Sequence, residues 1–152
     1  MIVYGSVIVE DKELLNLFTD LVRAHTVYMD HQLSALNLSS GQGGVISTLG
    51  RNGPITQNEL ARFRGVTPAT ISIMLDRMER DGLVQRSDSV GGRAKLVQLT
   101  PRGEEVFAEL DKFMEGEPKV VFQGLSAPEK TAAADLFRKL TDNVSDVISV
   151  RG

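Results

Sequence analysis

Apolar positions in residues 56–100 follow two periods, helical over 56–82 and strand-like from Leu83 onward. Thr56-Gln57-Asn58-Glu59 predicts a helix start, because a threonine and a glutamate three residues apart can each accept an otherwise free backbone N–H. Leu60, Ala61 and Phe63 follow, and Gly65 supplies the positive φ that a chain needs to leave a short helix. Thr67-Pro68 opens a second helix, with threonine as N-cap and proline at the first position, where its missing N–H costs nothing. Ile71, Met74, Leu75 and Met78 fall at i, i+3, i+4 and i+7 and form one apolar stripe. The opposite face carries Ala69, Thr70, Ser72, Ile73 and Arg77, and Asp81-Gly82 ends the helix. Residues 83–87 and 95–100 read as short strands, with Val84 in the first and Val97 and Leu99 on one face of the second. The stretch between them holds Gly91-Gly92-Arg93, which suits a basic hairpin tip. A helix, a tight turn, a helix and a ribbon with a basic tip together predict a DNA reader. The second helix is small and polar enough at its start to approach base edges in a major groove, and the arginine tip suits the adjoining minor groove.

The flanks are helical. A long helix is predicted from Asp11 to near Leu36-Asn37, because Leu14, Leu17, Phe18, Leu21, Val22, Tyr28, Met29 and Leu33 recur near helical spacing. Residues 1–9 read either as a short strand or as an arm on a partner subunit. Ser39-Ser40 caps a further helix to about Leu49, residues 50–54 are turn chemistry, and Ile55 adds a third short strand to the ribbon. Thr100-Pro101 opens a helix whose buried face is Val106, Phe107, Leu110, Phe113 and Met114, with an interruption or bend expected at residues 116–118. Ser126-Ala127-Pro128-Glu129 is another capping box, and the last helix carries Leu136, Phe137, Leu140, Val144, Val147 and Ile148 along one side. These terminal helices have more apolar stripe than one small lobe can cover, which implies a partner, by the usual winged-helix solution a two-fold homodimer. The alternative is that they pack only on each other as a bundle within one chain. The expected fold class is mainly α with a small β-wing. It comprises an N-terminal arm and dimerisation helix (1–37), a winged helix-turn-helix (38–100) and C-terminal dimerisation helices (101–152), arranged as one domain with two lobes.

Several segments resemble the MarR family of bacterial transcription regulators. They are Ala61 with Gly65 and Ile71, the run Asp76-Arg77-Met78-Glu79-Arg80-Asp81-Gly82-Leu83-Val84-Gln85-Arg86, and Leu96-Val97-Gln98-Leu99-Thr100-Pro101-Arg102-Gly103. The resemblance implies a winged-helix homodimer that binds double-stranded, pseudo-palindromic operators. It also implies control by a small aromatic or phenolic effector held between the DNA-binding lobe and the dimer helices. Two positions depart from the family pattern. Gly91 stands where the family's wing usually carries an aspartate, and Ile73 stands where its recognition helix often has an arginine. On this reading Ala69, Thr70, Ser72, Ile73 and Arg77 face the major groove. Arg93 enters the minor groove, Lys95 lies beside it on the ribbon, and the helix N-termini at Ser39 and Thr67 offer N–H groups to phosphates.

The net charge of −3 changes this picture only until it is divided by region. Residues 51–102 hold nine Lys/Arg against five acids, whereas the remainder holds eight against fifteen. A basic centre flanked by acidic helices turns one face toward phosphate and the others away from it. The sequence has no cysteine, so disulfides, thiolate metal sites and thiol redox sensing are excluded. His25 and His31 are six apart rather than four, so they do not share a metal-binding helix face; His25 reads as an interface or core residue and His31 as surface. Gly41-Gln42-Gly43-Gly44 lacks both the third glycine of a dinucleotide loop and a following Gly-Lys-Ser/Thr, so no nucleotide cofactor is expected. The apolar N-terminus is too short and lacks the basic start of a signal peptide, which predicts a cytoplasmic protein with no membrane partner. Neither a nucleophile–base arrangement nor a metal spacing suggests an enzyme. The expected function is a ligand-responsive homodimeric repressor. The alternative, favoured by Gly91 and Ile73, is a winged-helix module that binds a protein partner.

Overall fold

A computed structural model describes residues 9–88 and 95–149. Helix α1 spans Asp11–Ala35, α2 Ser40–Asn52, α3 Gln57–Arg64, α4 Pro68–Arg80, α5 Pro101–Val121 and α6 Ala127–Ser149. Strands β1 (Ile55–Thr56), β2 (Val84–Asp88) and β3 (Lys95–Leu99) form one antiparallel sheet in the order β1-β3-β2. Ile55 pairs with Val97, and Val84 with Leu99. The predicted architecture of helices with a small wing is thus present, including the third strand at Ile55. The arm at residues 1–8 and the wing tip at 89–94 lie outside the described residues.

The chain divides within α5 into two compact units, residues 1–113 and 114–152. The core belongs to the first. Val45, Ile46 and Leu49 of α2, Leu60 of α3, Ile71, Leu75 and Met78 of α4, and Val84 and Val97 of the sheet are almost wholly removed from solvent. Each such side chain contributes about 1.5–3 kcal/mol of apolar burial, which fixes the two short helices against the sheet. Tyr28 of α1 tilts against Phe113 of α5, their ring centroids 5.6 Å apart. In the second unit Gly124, at φ 82°, turns the chain between α5 and α6. The Ser126 backbone N–H then donates to Glu129 at 2.8 Å, as the capping box requires. None of the described side chains from 114 to 147 is fully buried in a single chain.

Four sequence expectations are corrected. Helix α2 runs three residues past Leu49, to Asn52, before Gly53 at φ 73° ends it. Gly50 is helical, and the Phe107 ring of α5 fills the space that a side chain there would take, with ring carbons 2.3–2.5 Å from where a Cβ would stand. Helix α5 passes through 116–118 without interruption. Pro118 removes one N–H, yet its carbonyl accepts the Phe122 N–H at 3.1 Å and so carries the final turn. Of the predicted buried face of α5, Leu110 is buried while Val106, Phe107, Phe113 and Met114 are half-buried. His25 and His31 are both solvent-exposed in the single chain, so His25 is not a core residue.

Candidate nucleic-acid interface

Local rules set the angle between α3 and α4. The Thr56 hydroxyl accepts the Glu59 N–H at 3.2 Å, and the Glu59 carboxylate accepts the Thr56 N–H at 2.8 Å and its hydroxyl at 2.7 Å. These bonds hold the Glu59 carboxyl below its ordinary pKa of 4.5. At the other end Gly65 adopts φ 62°, and the Gly65 and Val66 N–H groups return to the carbonyls of Arg62 and Ala61. Two residues later Thr67 caps α4, its hydroxyl accepting the Thr70 N–H at 3.2 Å and bonding the Thr70 hydroxyl at 2.9 Å. The turn is closed at both helix ends, so α4 has a fixed direction.

That direction exposes one ridge. With Ile71, Leu75 and Met78 sealed against the core, Ala69, Thr70, Ile73, Asp76, Arg77 and Arg80 face outward. Ser72 is half-buried at the flank of the ridge rather than on its crest. Thr70 is exposed, but its hydroxyl is engaged with the Thr67 cap. Ile73 is 58% exposed. Arg77 has no carboxylate partner among the described residues, which leaves its charge available. Lys95 is exposed at the start of β3, in register with Asp88. Ser39 caps α2, its hydroxyl accepting the Gln42 N–H at 3.3 Å while the Gln42 side chain accepts the Ser39 N–H at 3.0 Å. Arg93 lies outside the described residues.

An ion-pair cluster that periodicity alone does not reveal ties the ridge to the wing. The Arg86 guanidinium of β2 pairs with Asp76 and with Glu79 of α4, donating from Nε to the Glu79 carboxylate at 3.0 Å. The other Glu79 oxygen accepts the Arg86 backbone N–H at 2.9 Å. The Arg86 side chain lowers the Glu79 pKa below 4.5, and the two carboxylates raise that of Arg86. The signal was present in the sequence as two acids three residues apart on one helix, with an arginine just beyond the Asp81-Gly82 turn. A second tie holds the start of α5. The Thr100 hydroxyl donates to the Gly82 carbonyl at 2.5 Å and accepts the Gly103 N–H at 3.0 Å, and Arg102 donates to the Asp81 carbonyl at 2.9 Å.

Residues 36–94, which contain α2, α3, α4 and β2, match the model of the MarR family. Along most of its length the chain is also similar to the HTH-type transcriptional regulator YwoH of Bacillus subtilis. Identity is 28% over 128 residues, covering 84% of this chain and 93% of that one. The crystal structure of a MarR-like transcription regulator from Bacillus cereus superposes with a TM-score of 0.75 at 26% identity, over 88% of this chain and 96% of the other. Over these residues the chain resembles the MarR family. The relatives and solved structures that it matches are transcription regulators, and it shares their winged-helix fold. The MarR fold is shared by BpsR of Bordetella bronchiseptica, at 23% identity with a TM-score of 0.69, over 85% of this chain and 98% of that one. DNA binding by BpsR is regulated by 6-hydroxynicotinic acid. Among the described residues, no helix is long and apolar enough to cross a membrane.

Proposed function

We propose that this chain is a MarR-type, sequence-specific DNA-binding repressor that acts as a homodimer and releases its operator on binding a small aromatic or phenolic effector. The observation that carries this reading is the outward ridge of α4. Its backbone is capped and locked, its one acid is paired with Arg86, and Arg77 is left to meet phosphates or base edges. Thr67, Ala69, Thr70, Ile73 and Arg77 are assigned to the major groove, with Ser72 at its margin. Arg93 is assigned to the minor groove, and Ser39 and Lys95 to the phosphates.

The dimer is supported by uncovered apolar faces. On α1, Leu14, Leu17, Phe18 and Leu21 are each about half-exposed, and on α6 so are Leu136, Phe137, Leu140 and Val144. A stable obligate interface removes roughly 2,000 Å² or more of such surface and brings two α4 ridges about 34 Å apart, one helical turn of DNA. A small effector regulates binding only by favouring one spacing of the two ridges over another. The aromatic acid that regulates BpsR supports this chemical class of effector.

The test begins with selection of duplexes from a random pool on the full-length protein, followed by fluorescence anisotropy at two salt concentrations. Tight binding that weakens steeply with salt, and that a panel of small aromatic carboxylates and phenols reverses, is the expected result. A protein that retains no duplex at low ionic strength refutes it and favours the protein-interaction module.

A further inference from the structure

We propose that Ile73 reads the 5-methyl group of a thymine, so that specificity at the centre of each half-site is set by an apolar contact rather than a hydrogen bond. This inference rests on the DNA-binding reading above and goes beyond it by assigning what the crest of the ridge recognises. Stepping 100° per residue around α4, the buried Ile71, Leu75 and Met78 define the inward direction, and Ile73 lies almost opposite to it. Ala69 and Arg77 lie one turn away on either side of Ile73, and Arg80 closes the ridge. The crest is therefore a small residue, a branched aliphatic one and then cations.

A single exposed aliphatic side chain is ordinary on a protein surface. Its position here is not, because neither helix propensity nor solvation favours a β-branched aliphatic residue on the outward face of a helix, opposite its buried stripe. Capping cannot be its role, since Thr67 and Asp81 occupy the helix ends. Asp76 beside it shares Arg86 with Glu79, and the exposed Arg77 and Arg80 give the crest more positive than negative charge, which suits a polyanion. Within a major groove the base edges offer N7, O6, O4 and amino groups, and one apolar group, the thymine methyl. Ile73 has neither donor nor acceptor. Facing a guanine, an adenine or an unmethylated cytosine it would cover a polar edge and leave it unpaired, whereas facing a thymine it buries one methyl against another. Ala69, one turn earlier and short, lets the helix axis come close enough for that contact.

The experiment uses the full-length protein and a duplex selected by it from a random pool. Each thymine is replaced in turn by deoxyuridine, which removes only the methyl group. At one symmetry-related pair of thymines, affinity of the unaltered protein should fall about fourfold per methyl removed, the value of one buried carbon. Ile73→Ala should bind the thymine duplex with a similar loss and be indifferent to deoxyuridine at that pair. Ile73→Arg should move the preference there from thymine to guanine, through N7 and O6. Thermal unfolding of both variants checks that the exposed substitution leaves the fold intact. If the unaltered protein binds deoxyuridine duplexes as well as thymine duplexes at every position, the assignment is overturned while DNA binding stands. Retention of the methyl preference by Ile73→Ala overturns it equally. A pool that yields no bound duplex overturns the DNA-binding reading and this assignment with it.

Discussion

Replacing Arg86 with methionine keeps most of the side-chain stem and removes the charge that joins β2 to α4. Arg86 is 18% exposed and Glu79 33%, so their bond is shielded enough to matter, while the Asp76 side chain is more than half exposed. A hydrogen bond to a charged group is worth about 1.5–3 kcal/mol net, and an exposed ion pair about 0.2–1 kcal/mol. Arg86→Met should therefore destabilise the fold by about 2–3 kcal/mol, and for a chain of this length lower its Tm by roughly 5–10 °C. The backbone N–H of residue 86 still reaches Glu79, so the strand is retained. Urea unfolding of Arg86→Met, Glu79→Gln and the double variant gives the coupling between the two side chains, expected at about 1–2 kcal/mol. A loss below about 0.5 kcal/mol for Arg86→Met, or additive single losses, would refute the claim that this pair holds the ridge to the wing.

The remaining predictions concern packing, acid and assembly. Gly103→Ala places a Cβ 2.0 Å from the Leu83 carbonyl oxygen, a backbone atom that cannot swing aside. A loss of about 3 kcal/mol or more is expected in urea unfolding, whereas Gly116→Ala, which meets nothing within 4 Å, should be neutral or stabilising by up to about 1 kcal/mol. Because the Glu79 pKa is lowered in the folded chain, its contribution is complete above the ordinary 4.5 and is lost as pH falls through the lower folded value. Glu79→Gln should consequently be less stable than the unaltered protein at pH 7, with the gap in urea midpoint closing toward pH 3; a gap that stays constant with pH contradicts this. Phe18→Glu sets a charge in the exposed stripe of α1 and should halve the mass seen by light scattering without lowering helix content. An unchanged mass would place the dimer contact elsewhere.

Features whose cause is local were legible in the sequence. The caps at Thr56 and Thr67 and the capping box at Ser126 depend on residues no more than three apart, and each makes the bond that its spacing implies. The inward and outward faces of α4 followed from a 3.6-residue period, with Ser72 displaced to the flank because it lies beside the buried stripe. Features decided at long range were not legible. Gly50 reads as a turn until Phe107, more than fifty residues later, is seen to need the space its missing side chain leaves. Pro118 reads as a break because propensity outweighs the bond its carbonyl makes to Phe122. Arg86 reads as one more surface cation until the Asp81-Gly82 turn brings it back onto Glu79.

On the proposed reading the outward ridge of α4 enters a major groove, once for each of two subunits. Dimethyl sulfate protection on a selected duplex tests it most directly, because the reagent methylates guanine N7 on the floor of that groove. Two clusters of protected guanines are expected about one helical turn, roughly 10 base pairs, apart on one face of the duplex, both weakened in Arg77→Ala. Bound protein that leaves every guanine N7 reactive, or that protects a single cluster, would contradict it.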